Sequence, residues 1–220
     1  MIDAHDLNVM IAGTPILRNV TLAIPSRSAA GLIGRNGAGK TTLLRSIMGL
    51  IPVQSGAVTI DGKDLLAMAP HHRASLGIGY MPEDRRVIPN FTVEENILVP
   101  VWATGHSHRL ERLSWIYDLM PEIARFRERR ALSLSGGQQK LVALARALII
   151  GSNVLLLDEP FEGVAPALAQ RLFDVIAALK EEGLSIMLCE SDHIHSAQLV
   201  DEVYEIERGE VRPLEMRGVV

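Results

Sequence analysis

A glycine-rich segment between two apolar stretches has the residue types and spacing to hold a phosphate group. It reads Gly34-Arg-Asn-Gly-Ala-Gly-Lys40-Thr41 and fits the pattern G-x-x-x-x-G-K-[ST]. Glycines let backbone N–H groups turn inward around an anion, and a following helix adds partial positive charge. Lys40 would reach the β- and γ-phosphates, Thr41 would bind Mg²⁺, and Thr42 would donate to an α-phosphate oxygen. The alternative is a glycine-rich turn with a solvated lysine. The residues predicted to bind phosphate are Gly34, Arg35, Asn36, Gly37, Ala38, Gly39, Lys40, Thr41 and Thr42.

Two adjacent carboxylates follow a second apolar run, residues 154–157. Ligands of open parallel sheets lie off the carboxyl ends of the strands. Asp158 is therefore predicted to hold Mg²⁺ through a water molecule, and Glu159 to accept a proton from the water that attacks the γ-phosphorus. A positioned base of this kind contributes about 10²–10⁴ in rate. The alternative is a strand that ends in a solvated turn.

A second anion site is predicted at residues 134–138, which read Leu-Ser-Gly-Gly-Gln. Ser135 and Gln138 have the spacing of a capping box, for a helix predicted to begin near Gln139. Gly136 and Gly137 exceed what capping requires, and they leave backbone N–H groups bare at the helix N-terminus. The alternative is a well-capped helix preceded by a glycine turn.

The segments around these loops predict an α/β fold. Apolar strands at 29–33, 154–157 and 184–189 alternate with helical periodicity at 141–148 and 168–179, which is typical of a parallel sheet. Residues 1–30 alternate with a period of two and predict antiparallel strands. Residues 92–130 are mainly helical by their pattern, and Thr92 and Glu95 form a capping box at its start.

Composition narrows the functional classes. The 220 residues have 48% hydrophobic content, which is enough for one domain with a large core, and a net charge of −4, which gives no general attraction to nucleic acid. The single cysteine, Cys189, excludes a disulfide scaffold and a cysteine-based zinc site. We find no signal peptide and no apolar run of about 18 residues. These features predict a cytosolic globular protein.

Three motifs in this order, 34–41, 134–138 and 155–159, resemble those of the ATP-binding cassette (ABC) ATPases, and the resemblance covers nearly the whole chain. It implies a P-loop NTPase fold: a single ABC-type nucleotide-binding domain over residues 1–220, with an antiparallel β subdomain and a helical subdomain at about 85–145. In that family two cassettes pair head to tail, with ATP between the phosphate loop of one and the signature loop of the other. Ser135, Gly136 and Gly137 would then touch the γ-phosphate bound by the partner.

The segment that resembles the family's lid motif reads Tyr80-Met-Pro-Glu-Asp-Arg-Arg86, with Glu83 where the family usually has glutamine. This segment, and DEPFEGVAP at 158–166, are similar to one of the two ATPase subunits of branched-chain amino-acid uptake systems. A subgroup that serves urea and short amides is close. The resemblance implies that Glu83 ligates Mg²⁺ through its carboxylate oxygens.

Two further positions depart from the family pattern. Ile11 stands where the family stacks an aromatic residue on adenine, and it offers no π-face. Ser191 stands where the family has a catalytic switch histidine. Because a homodimer would carry two such altered sites, we expect a non-identical partner cassette, although a homodimer is possible.

The resemblance implies an ATP-hydrolysing subunit of an importer for branched-chain or other amino acids, with ATP and Mg²⁺ as its cofactors. The implied partners are a second ABC ATPase subunit, two transmembrane permease subunits and an extracytoplasmic substrate-binding protein, but no nucleic acid. The chain would lie peripherally on the cytoplasmic face of the plasma membrane. The alternatives are a cassette for urea or short amides, a lipid or polysaccharide exporter cassette, and a soluble ABC machine acting on nucleic acid or ribosomes.

Overall fold

Within residues 1–105, 111–192 and 197–214, which the computed structural model describes, the chain forms two β-sheets and seven α-helices. The strands are β1 (Ile2–Ile11), β2 (Thr14–Ile24), β3 (Ala29–Ile33), β4 (Ser55–Ile60), β5 (Lys63–Asp64), β6 (Ile78–Met81), β7 (Val154–Asp158), β8 (Ser185–Glu190), β9 (Glu202–Glu207) and β10 (Glu210–Leu214). The helices are α1 (Lys40–Ile47), α2 (Pro70–Ser75), α3 (Val93–Thr104), α4 (Glu111–Leu119), α5 (Pro121–Arg125), α6 (Gly136–Leu148) and α7 (Pro166–Glu181).

The larger sheet has six strands in the order β10-β9-β3-β8-β7-β6. Strands β9, β3, β8, β7 and β6 are parallel to one another, and β10 is antiparallel to β9. The carboxyl ends of β3, β8, β7 and β6 therefore lie along one edge. The last residues of these strands are Ile33, Glu190, Asp158 and Met81. The predicted α/β fold is confirmed, and this edge is where a ligand is expected to bind.

The smaller sheet has the order β2-β1-β4-β5 and is antiparallel throughout. Its buried side chains, among them Leu7 and Val9, form one core with Leu43 and Leu44 of α1 and with Leu156 of β7. Helix α1 and the antiparallel sheet thus cover one face of the larger sheet. The predicted antiparallel β subdomain is confirmed.

Helices α3 to α7 contribute to a second hydrophobic core. Along β7, the side chains of this core alternate with those that belong to the first core. Leu155 and Leu157 of β7 pack in this cluster together with Leu144 of α6 and Leu172 of α7. The strands β3, β7 and β8 are buried along their whole lengths, because both faces of the sheet are covered.

The helical region begins after the lid segment, at Val93, and its last helix, α6, ends at Leu148. Both predicted capping boxes are present, with Thr92 and Ser135 as the N-caps of α3 and α6. The prediction that α6 begins near Gln139 is wrong by three residues. Because Ser135 is itself the N-cap, the two glycines after it form the first helical turn. No helix in the described part of the chain is long and apolar enough to cross a bilayer.

Candidate nucleotide-binding and catalytic site

The predicted phosphate loop connects the carboxyl end of β3 to the start of α1. Its last glycine, Gly39, is the N-cap of α1 with φ at 120°, a conformation that residues with a side chain rarely adopt. Within the described chain no side chain caps this helix, and its first turn carries no acidic residue. The N–H groups of that turn are therefore available to an anion.

Lys40, the first residue of α1, points into this loop and is 5% exposed. Its ammonium group donates to the carbonyl oxygen of Gly34 and, at 3.3 Å, to that of Arg35. It also lies 3.0 Å from Glu159 Oε1, so the predicted phosphate ligand and the predicted base form a buried ion pair. The ammonium group that is predicted to bind phosphate is therefore paired with a carboxylate in this structure.

The carboxylate of Asp158 lies at the end of β7, between two hydroxyl groups. Thr41 Oγ1 donates to Asp158 Oδ1 at 3.1 Å, and the Tyr80 hydroxyl donates to Oδ2 at 3.2 Å. Burial raises the pKa of Asp158, and these two hydrogen bonds oppose that shift. Oxygen donors of this kind suit Mg²⁺. The sequence pattern indicates no role for Tyr80, because its partner Asp158 lies on a different strand.

Glu159 follows β7 in a left-handed conformation, with φ at 50°. Ser191 Oγ lies 2.7 Å from Glu159 Oε1 and 2.8 Å from Asn36 Oδ1, and the Ser191 N–H donates to Glu159 Oε2 at 3.2 Å. A non-glycine residue in this backbone region costs about 1–3 kcal/mol, and such residues cluster at functional sites. The hydrogen bonds of Ser191 thus bring Ser191 and Asn36 to the predicted base.

A second carboxylate, Glu190 at the end of β8, is buried beside Glu159. Burial and the neighbouring charge of Glu159 raise the pKa of Glu190 to about 9. It is therefore protonated near neutral pH and can donate a hydrogen bond to Glu159. The Phe161 N–H donates to Glu190 Oε1 at 3.4 Å. The only sequence signal for this residue is a carboxylate at the end of an apolar strand.

Glu83 lies just beyond the end of β6 and lines one cavity together with Lys40, Thr41 and Glu159. Partial burial raises its pKa, and the nearby carboxylates of Glu162, Asp158 and Glu159 raise it further. Three other acidic side chains thus lie close enough to Glu83 to act on its charge. Among the described residues, no group of three or more acidic, histidine or cysteine side chains is placed to hold a metal ion, so the Mg²⁺ contact of Glu83 stays a prediction.

One cavity of about 450 Å³ is lined by residues of the phosphate loop and its helix, by the lid residue Glu83 and by Glu159, which follows β7. Its lining residues are Ile16, Asn36, Gly37, Gly39, Lys40, Thr41, Thr42, Glu83 and Glu159. An adjacent cavity of about 690 Å³ is also lined by Asn36 and Gly37, but residues 205–208 form another part of its wall. Ile11 is at the exposed end of β1, 43% exposed, whereas Ile16 faces the first cavity. The adenine contact of Ile11 stays a prediction.

The predicted second anion site, 135–138, does not contribute to the described lining of that cavity. Ser135 Oγ accepts from the Gln138 N–H at 3.3 Å, and Gln138 Oε1 accepts from the Ser135 N–H at 3.1 Å. A Cβ at Gly137 would lie 2.5 Å from Leu168 of α7, so packing against α7 also favours glycine there. The side chain of Arg85 lies against Gly136.

Helix α6 also holds the lid segment in place. Arg146 donates from Nη1 to the carbonyl oxygen of Arg86 at 2.6 Å, and from Nη2 to that of Arg85. Arg85 and Arg86 are consecutive non-glycine residues with φ at 60° and 47°. The guanidinium of Arg146 therefore stabilises an unusual backbone turn that begins two residues after Glu83. Sequence reasoning missed this contact, which joins positions 60 residues apart.

Taken together, the strand–loop–helix, its lysine and the acidic pair at the end of β7, which is separated from β3 by β8, define a nucleoside-triphosphate-binding P-loop domain. The profile of the family described as "ABC transporter" matches residues 17–162. The chain therefore belongs to the ABC transporter family and is one of its ATP-binding ATPase cassettes. Cassettes of this family work as dimers with transmembrane permease partners.

Relatives with assigned names match most of the chain. A probable branched-chain amino acid transport ATP-binding protein, LivF of Archaeoglobus fulgidus, is 36% identical over 212 residues, which cover 96% of this chain and 90% of the relative. The high-affinity branched-chain amino acid transport protein BraG of Pseudomonas aeruginosa is 33% identical over 195 residues (89% and 84%). The lipopolysaccharide export protein LptB of Haemophilus influenzae is 30% identical over 213 residues (96% and 88%).

Solved structures support the same fold. The ADP conformation of an ATP-binding cassette superposes with a TM-score of 0.84 at 25% identity, covering 96% of this chain and 89% of that one. The dimeric structure of a bacterial ABC transporter cassette also gives 0.84 at 25% identity, covering 99% and 100%.

Proposed function

We propose that the chain is the ATP-hydrolysing subunit of an importer for branched-chain or related amino acids. The observation that carries this proposal is the 36% and 33% identity, over most of both chains, to two proteins named for branched-chain amino acid transport. The lid segment 80–86 and the segment 158–166 point to the same subgroup. The second candidate is an exporter cassette, favoured by the 30% identity to a lipopolysaccharide export protein.

The proposed chemistry is in-line attack of water on the γ-phosphorus of ATP. Lys40 leaves Glu159 and binds the β- and γ-phosphates, while Thr41, Asp158 and Glu83 supply oxygen donors for Mg²⁺. The metal would neutralise charge on the transferred phosphoryl group. Glu159, once free of Lys40, accepts the proton of the attacking water. Positioning and charge stabilisation then account for most of the catalysis.

The proposed role of Ser191 is to orient the base. Its two hydrogen bonds to Glu159 fix both carboxylate oxygens, and its hydroxyl also touches Asn36 of the phosphate loop. The serine is shorter than the histidine of other family members and carries no charge. It therefore positions Glu159 without adding positive charge near the γ-phosphate.

The partner cassette is proposed to be non-identical. The signature residues Ser135, Gly136, Gly137 and Gln138 lie outside the chain's own ATP cavity, as required if they complete a partner's site. Positions 11, 83 and 191 depart from the family pattern in the chain's own ATP site, whereas the signature loop is intact. The loop would therefore complete the ATP site of a different cassette. Two permease subunits, an extracytoplasmic binding protein and a peripheral position at the cytoplasmic membrane face complete the proposed assembly, and nucleic acid has no part in it.

The isolated chain is expected to hydrolyse ATP slowly and to dimerise weakly in its presence, because each active site needs a signature loop from a partner. Size-exclusion chromatography with light scattering, with and without Mg-ATP, would measure this, alongside phosphate release. Stable homodimers with fast turnover would contradict the heteromeric assembly.

Glu83→Ala is expected to lower basal hydrolysis, because it removes an oxygen donor, whereas Glu83→Gln should leave it similar or somewhat higher. Glutamine keeps one donor oxygen and relieves repulsion from three nearby carboxylates. Both changes should reduce substrate stimulation more than ATP affinity. Hydrolysis by the reconstituted complex, with and without transported substrate, would measure this. Alanine values equal to wild type in both states would remove Glu83 from the site.

The substrate proposal is tested on the complex that copurifies with this chain, reconstituted in liposomes. ATP hydrolysis should rise when binding protein loaded with leucine, isoleucine or valine is added, but not with urea. Stimulation by urea or by a lipid-linked substrate, and not by amino acids, would favour the alternatives and contradict the proposal.

A further inference from the structure

Helix α6 carries a lysine that is almost completely buried and that no step above uses. Lys140 is 1% exposed and lies just over one helical turn after the N-cap, Ser135. Its Nζ donates to the carbonyl oxygen of Glu159 at 2.6 Å and to that of Glu162 at 2.5 Å. The side chain therefore connects α6, whose first turn carries the signature residues, to the backbone of Glu159.

A buried ammonium is an expensive way to fill a core position. Burial lowers the pKa of Lys140, the carboxylates of Glu162 and Glu159 raise it, and Arg85 lowers it again. Removing a charge from water costs several kcal/mol unless hydrogen bonds and opposite charges compensate. Leucines at the same face of α6, one and two turns later, show that apolar packing would suffice if only the core needed filling.

The backbone that Lys140 holds is the strained one. Glu159 has φ at 50°, and its N–H donates to the carbonyl oxygen of Cys189 in β8 at 2.9 Å. Lys140 donates to the carbonyl oxygen of the same residue. Strand β8 and helix α6 thus fix the two polar groups of this backbone unit, and the direction of the Glu159 side chain toward Lys40 and Ser191 follows from them.

We propose that Lys140 is a positioning residue that couples the first turn of α6 to the catalytic carboxylate. This inference rests on the proposed role of Glu159 as the base. Helix α6 is rigid, so a shift of its N-terminus, where Ser135 would meet the partner's nucleotide, moves the Lys140 ammonium and with it the 159–162 segment. Occupation of one ATP site is thereby transmitted to the base of the other.

The test is the Lys140→Met variant in the full complex, with Arg112→Met as the matched control. Arg112 also binds backbone carbonyls of α6 and its C-terminal flank, Leu148 and Gly151, at the end away from the site. A displaced base of this kind costs about 100-fold in rate. We expect kcat to fall about 10- to 100-fold in Lys140→Met, with KM for ATP changed less than about threefold, whereas Arg112→Met keeps its kcat.

Lys140→Arg, which keeps a buried cation with several donors, should recover most of the lost kcat. If Lys140→Met does not fold, Lys140→Gln takes its place. The proposal is overturned if the folded variant keeps a kcat within about twofold of wild type, if KM and kcat change together, or if neither variant folds. Glu159→Gln in the same assay separates the two claims: if only Glu159→Gln is inactive, the base assignment stands and the Lys140 coupling fails.

Discussion

Glu159→Gln is expected to reduce steady-state ATP hydrolysis about 10²- to 10⁴-fold, because the amide cannot accept the proton of the attacking water. The glutamine keeps the shape of the side chain and can still bond to Ser191. ATP binding should be as tight as in wild type or tighter, since Lys40 no longer has to leave a carboxylate at 3.0 Å. The ATP-bound dimer should consequently live longer. Phosphate release and ATP affinity, measured on the same preparation, report both effects.

The matched control for this prediction is Glu182→Gln, which removes an exposed carboxylate at the C-cap of α7. It should change neither quantity. Near-normal hydrolysis by Glu159→Gln would mean that another group accepts the proton. Lost ATP binding in Glu159→Gln would mean that the carboxylate is part of the binding site rather than the base.

Lys40→Ala is expected to weaken ATP binding about 10- to 100-fold, which corresponds to a charge-assisted hydrogen bond of about 1.5–3 kcal/mol. A second effect follows from the ion pair seen in the structure. Without Lys40 the buried carboxylate of Glu159 has lost its cation, and breaking a buried pair costs about 3–5 kcal/mol. The nucleotide-free variant should therefore also unfold at a lower temperature. Isothermal titration with ATP and a thermal melt measure the two effects separately.

The double variant Lys40→Ala/Glu159→Gln distinguishes these two effects. It removes both charges of the pair, so the melting temperature should rise from that of Lys40→Ala, while ATP binding stays weak. A double variant with the same melting temperature as Lys40→Ala would show that the ion pair does not contribute to stability. Wild-type ATP affinity in Lys40→Ala would contradict the phosphate-binding role of the lysine.

Local rules were sufficient for much of the fold and for the strand–loop–helix geometry of the predicted phosphate loop. Strand β3 was predicted with its observed bounds because five consecutive apolar residues precede the glycine-rich loop. The capping boxes at Thr92 and Ser135 were predicted because both partners of each box lie within four residues of sequence. The phosphate loop follows from a motif whose residues are contiguous. The start of α6 was misplaced because glycine's low helix propensity hid the first turn after Ser135.

The long-range contacts that hold the backbone and side chains of the candidate site were beyond local reasoning. Lys140 and Arg146 bind carbonyl oxygens 19 and 60 residues away, and any residue type supplies a carbonyl. The pairing of Tyr80 with Asp158 depends on the parallel register of β6 and β7. A lysine on the apolar face of α6 was the one available signal, and it indicates burial without naming the partner.

A single-turnover experiment tests the central claim most directly, that this chain hydrolyses ATP with Glu159 as the base. The assembled complex is loaded with γ-labelled ATP, mixed with Mg²⁺ and quenched over time, for wild type and for Glu159→Gln. Wild type should convert its bound ATP to ADP and phosphate within one turnover, while Glu159→Gln should retain bound ATP at the same stoichiometry. Conversion in Glu159→Gln at the wild-type rate would contradict the account.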